Sequence, residues 1–125
     1  MGHGAVDVAG LVKRVVDAIS GRVRVERVIL FGSRARGEAN EGSDVDLLVV
    51  SPDFGVDALA DYALLYGAIP PLDIDVDVIP RTPAQIAAAE PDSFLATVLE
   101  DGVVVYQDGS AAARRTGARR AKPTR

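Results

Sequence analysis

The sequence predicts an α+β domain with a sheet of about four strands. Three observations carry this. Short apolar runs of strand length recur at Val28 to Phe31, Asp44 to Val50, Leu72 to Ile79 and Val103 to Tyr106. Segments of helical period lie before, between and after them, and glycine or proline stands at nearly every junction.

Taken in order, Met1 to Gly4 is a glycine-rich start holding the lone histidine, His3, which is read as frayed chain rather than a ligand. Val8, Leu11, Val12, Val15, Val16 and Ile19 recur at three- and four-residue steps, so Ala5 to Ser20 reads as an amphipathic helix closed by Gly21. The first strand, prepared by Val23 and Val25, ends abruptly at Gly32-Ser33. A short helix is expected over Arg34 to Ala39, followed by a loop of turn-formers from Asn40 to Ser43 and the second strand to Val50. Asp57 to Ala68 reads as a helix with Leu59, Tyr62, Ala63 and Tyr66 on its packed side, closed by Pro70-Pro71. LDIDVDVI then alternates strictly, Ile74, Val76 and Val78 against Asp73, Asp75 and Asp77: a half-buried strand with an acidic stripe. Thr82-Pro83 is a helix entry, a capping threonine before a proline at the first helical position, with the helix running to about Ala89. Pro91 is expected to open the next helix in the same way, with Phe94, Leu95, Val98 and Leu99 as its apolar stripe and Gly102 as its end.

The chain of 125 residues with 48% apolar content is one domain with a real core. Absence of cysteine excludes disulfides, thiolate zinc sites and cysteine nucleophiles. Its apolar runs fall far short of the roughly 20 residues of a membrane span, and the start lacks the form of a signal peptide, so the chain is read as soluble and cytoplasmic. Residues 1–109 carry 8 Lys/Arg against 18 Asp/Glu, whereas residues 110–125 carry 6 Lys/Arg and no acid. The expected organisation is therefore an acidic domain over 1–109 and a disordered basic tail over 110–125. An acidic body gives no strong case for nucleic acid as a partner.

Chemistry concentrates in Phe31 to Val50. On a strand, Asp44 and Asp46 project the same way, about 7 Å apart, and can share hard cations. Gly32 allows close approach of backbone to an anion, and Ser33 adds a hydroxyl. An anion site followed by a cation site suggests a metal-bound nucleoside triphosphate. A third carboxylate comes from the stripe Asp73, Asp75 and Asp77, whose spacing alone does not choose among them. Three acids facing one concavity suit two Mg²⁺ ions, with Mn²⁺ as an alternative. A Walker-type loop is a poor competitor, because GSRARGEA lacks the lysine and Ser/Thr after the second glycine.

Gly32-Ser33, ten residues and then Asp44-Val45-Asp46 resembles the signature of the DNA polymerase beta-like nucleotidyltransferase superfamily, and GSRARGEANEGSDVDLLV is similar to its minimal nucleotidyltransferase branch. DVIPRTP and VLEDGVVVY resemble later parts of that branch, so the likeness spans Val8 to Tyr106. It implies a two-layer fold, a mixed sheet with helices mainly on one face. It implies Asp44, Asp46 and Asp77 as metal ligands, Asp77 because it precedes two apolar residues and a Thr-Pro entry; Asp75 is the runner-up. Asp77 would also activate the acceptor hydroxyl. Gly32 and Ser33 would bind the β- and γ-phosphates, with Arg36 as a phosphate or partner contact and Ser43 as a turn cap or phosphate contact. The implied activity is transfer of NMP, most simply AMP from ATP, to a hydroxyl, such as a tyrosine of a separately encoded helical HEPN-type toxin for which the chain is the antitoxin. The alternative is a non-catalytic module that binds nucleotide or neutralises its partner by contact. Self-association is left open.

Overall fold

Two runs of consecutive apolar residues make the centre of the sheet, because a strand buried on both faces has no polar side to alternate with. In the computed structural model, which describes residues 7–37, 44–55, 57–72 and 74–108, these are β1 (Arg27–Phe31) and β2 (Val45–Val50). They pair antiparallel, from Arg27 opposite Val50 to Phe31 opposite Asp46. β3 (Val76–Arg81) lies parallel to β2 and β4 (Val103–Gln107) antiparallel to β1, so the mixed sheet has the order β3-β2-β1-β4.

The helices divide between its faces. α1 (Val8–Ile19) starts on an Asp7 cap, whose carboxylate accepts the Gly10 N–H at 3.0 Å, and buries Leu11, Val12, Val15, Val16 and Ile19. With Leu65 of α2 (Ala58–Ala68) these side chains pack on Val28, Leu30, Val45, Leu47, Val49 and Val78. The expected face with most of the helix is this one. The opposite face carries a smaller cluster, in which Val98 of α4 (Phe94–Asp101) meets Ile29, Phe31, Leu48 and Val50, and Ile86 of α3 (Pro83–Ala87) packs beside it.

Three details differ from expectation. The α2 stripe is rotated: Leu65 is buried, whereas Leu59 is 79% exposed and Ala63 is exposed. Alanine, leucine and tyrosine surround that helix, so its period defines no face. β3 starts at Val76, not Leu72, because its parallel partner starts only at Val45; it then runs on through Pro80 to Arg81. Proline is tolerated there because β3 is an edge strand and alternation turns position 80 away from β2. Finally, α4 is opened by Ser93, whose hydroxyl accepts the Ala96 N–H at 3.0 Å, and not by Pro91. The Thr82 entry is as expected, with a reciprocal capping box to Gln85. His3, Ala39, Ser43, Asp73 and the basic tail lie outside the described residues.

Candidate active site

β2 reads Val-Asp-Leu-Leu-Val-Val, and Asp46 is the single position in it that is not buried. Its parity with Leu48 and Val50 puts it on the sheet face that carries α3 and α4. The parallel register sets Asp77 directly across from it on β3, and the two side chains are hydrogen-bonded to each other. Burial is the first cause that raises the Asp46 carboxyl above the ordinary carboxylate range; the Asp77 charge and hydrogen bond and the Asp44 charge follow. Arg36 acts on Asp46 in the opposite sense.

On the other flank of Asp46 stands Gly32, at the end of β1. It has φ +79°, and a Cβ built on it would collide with the Asp46 carboxylate. Glycine is therefore required twice over, for the left-handed backbone and for the close approach. After it the chain makes a helical turn over residues 33–37, in which the Ala35 and Arg36 N–H groups donate to the Gly32 carbonyl at 3.1 and 3.2 Å. Ser33 opens this turn. Gly32, Ser33, Arg36, Asp44, Asp46 and Asp77 are thus gathered at one end of the sheet.

Asp75 is not gathered with them. It lines a separate hollow with Tyr66, Pro70, Pro71 and Leu72 and is not among the groups that act on Asp46. Among the described residues, no three His, Cys, Asp or Glu side chains form a ready-made metal cage. The donor chemistry nevertheless fits a hard divalent cation: oxygen donors only, with two carboxylates close enough to share one.

A cleft of about 270 Å³ adjoins the site, lined by Phe31, Gly32, Arg36, Asp46, Phe94, Thr97, Val98 and Asp101. Phe94 meets Phe31 edge-on at 5.9 Å yet is 59% exposed. The sequence reading assigned this helix to the core alone; an acid and a threonine facing the same way as Phe94 were the available signal.

Residues 12–105 match the model of the nucleotidyltransferase domain. The chain belongs to this nucleotidyltransferase family. A candidate protein adenylyltransferase of Methanocaldococcus jannaschii is 33% identical over 100 residues, covering 76% of this chain and 94% of that protein. Among solved structures, a candidate nucleotidyltransferase from Sulfolobus solfataricus is similar with a TM-score of 0.62 and 22% identity, over 86% of this chain and 90% of that one. A toxin–antitoxin complex with AMP-PNP and a mutant of the MntA–HpeT toxin–antitoxin follow at TM-scores of 0.55 and 0.52, with 19% and 16% identity, each over 95% of this chain and 94% of theirs. These likenesses extend the nucleotidyltransferase fold over the whole sheet. No helix among the described residues is long and apolar enough to cross a membrane.

Proposed function

We propose that this nucleotidyltransferase transfers AMP from ATP to a hydroxyl group of a partner protein, a tyrosine on a helical HEPN-type toxin, and so acts as the antitoxin. The observation that carries the reading is Asp46, which touches Asp77 on one flank and abuts the Gly32 turn on the other. In this reading Gly32 and Ser33 hold the β- and γ-phosphates, and Arg36 approaches the same anion. Asp44, Asp46 and Asp77 would hold Mg²⁺, one ion or two. Bound there, the cation lowers the pKa of the attacking hydroxyl and neutralises charge on the phosphates.

Asp77 orients the acceptor hydroxyl and takes its proton. The acceptor oxygen forms a bond to the α-phosphorus, the bond from that phosphorus to the β-phosphate bridge breaks, and pyrophosphate leaves towards the Gly32-Ser33 turn. The candidate adenylyltransferase relative and the toxin–antitoxin neighbours support a protein acceptor.

The test is incubation of the full chain and a candidate partner with Mg²⁺ and ATP labelled on the α-phosphate. Label should appear on the partner with the wild type and be lost with Asp44→Asn/Asp46→Asn. Neutralisation of the partner that survives in the double variant would overturn the enzymatic reading.

A further inference from the structure

β3 is the last strand on its side of the sheet. Its inner side is bonded to β2; the Val45 and Ser51 N–H groups, for example, donate to the Asp75 and Arg81 carbonyls at 3.0 Å each. Alternation then turns the backbone of Asp77 inward and that of Val78 outward, where no strand among the described residues pairs with it. Tyr66 of α2 meets it there. The Val78 N–H donates to the Tyr66 hydroxyl at 2.9 Å, and that hydroxyl donates to the Val78 carbonyl at 3.5 Å.

The rest of Tyr66 is loosely held. It is 50% exposed, and its ring borders an open hollow of about 470 Å³ with Ile69, Pro70, Leu72 and Val76. Burial holds the Val78 side chain against Leu65 but leaves the Tyr66 ring half exposed, and the hydroxyl adds a hydrogen-bonded tie from α2 to the backbone one residue from Asp77. A tie on its outer side limits how far the edge strand can twist away from β2.

We propose that Tyr66 is a positioning residue for Asp77: by clamping the outward backbone of Val78, it fixes the Asp77 carboxylate against Asp46 for cation binding. This rests on the reading above, that these two acids share a cation. Tyr66 does not line the cleft at Asp46 and acts through the strand.

The test titrates Mn²⁺ alone into the full chain by calorimetry, well below the melting temperature. Tyr66→Phe keeps the ring and removes the hydroxyl, and should weaken Mn²⁺ binding about three- to tenfold, the range a single net hydrogen bond carries. Ile19→Val is the control, since it loosens α1, a different element from the one that carries Tyr66; it should lower the melting temperature and leave Mn²⁺ affinity unchanged. In an Asp77→Asn background, Tyr66→Phe should have no further effect, the signature of action through that residue. Unchanged affinity in Tyr66→Phe, equal losses in Tyr66→Phe and Ile19→Val, or additive losses with Asp77→Asn would each overturn the proposal. If the wild type binds no Mn²⁺, or binds it equally well as Asp46→Asn, the underlying reading fails and the proposal with it.

Discussion

Asp46 is a group that the fold holds at a disadvantage. Because its folded pKa lies above that of the unfolded chain, the folded state holds the proton more tightly. Its contribution is neutral below the unfolded value, becomes destabilising as pH rises from the unfolded value towards the folded one, and stays so above it. Asp46→Asn should therefore melt higher than the wild type at pH 7, with the difference shrinking as pH falls; calorimetry across that range in chelator measures it. The same substitution should abolish stabilisation by Mg²⁺. Gly32→Ala strains a φ of +79° and drives a methyl group into Asp46, so a loss of about 1–3 kcal/mol is expected in urea unfolding, together with loss of nucleotide binding. The sequence named both residues, but it could not show that they touch. Nor could it separate Asp75 from Asp77, since alternation gives them one face and only the parallel register brings Asp77 opposite Asp46.

At the scale of the elements, what could be read depended on how much information was local. The α1 stripe was readable because charged residues such as Lys13, Arg14 and Asp17 fill its other side. The α2 face was not, because apolar side chains encircle it and the sheet alone selects Leu65. Caps are local, so Thr82 was found, but Pro91 competed with Ser93 and the hydroxyl won because it satisfies the Ala96 amide. Strand limits are not local: β3 begins where β2 does. Thr82→Ala should cost about 1 kcal/mol in unfolding free energy and leave nucleotide affinity unchanged. A comparable loss of affinity would mean that α3 helps to shape the site.

For the whole molecule, the charge asymmetry predicts separable parts. A chain ending at Gly109 should keep the melting temperature of the full protein, and a lower one would place the basic segment inside the folded unit. Leu65→Ala, at a position with no exposure beneath both α2 and the sheet, should cost about 2–5 kcal/mol. It would show how far the larger cluster supports the fold. The two clusters have different duties. The larger one builds the platform, while the smaller one underlies the face on which Asp46 and the Phe94 cleft lie.

The two rims of the sheet are not equivalent. On β3, Pro80 has no N–H to offer and the Val78 pair is already engaged by a side chain. On β4, Val103 and Val104 are each 48% exposed, and no further strand among the described residues pairs with their outer side. Among the described residues, β4 is therefore the rim left open to another strand. Two copies joined through β4 would pair both such rims, and pairing through the sheet would then stop at a dimer rather than propagate into a fibre.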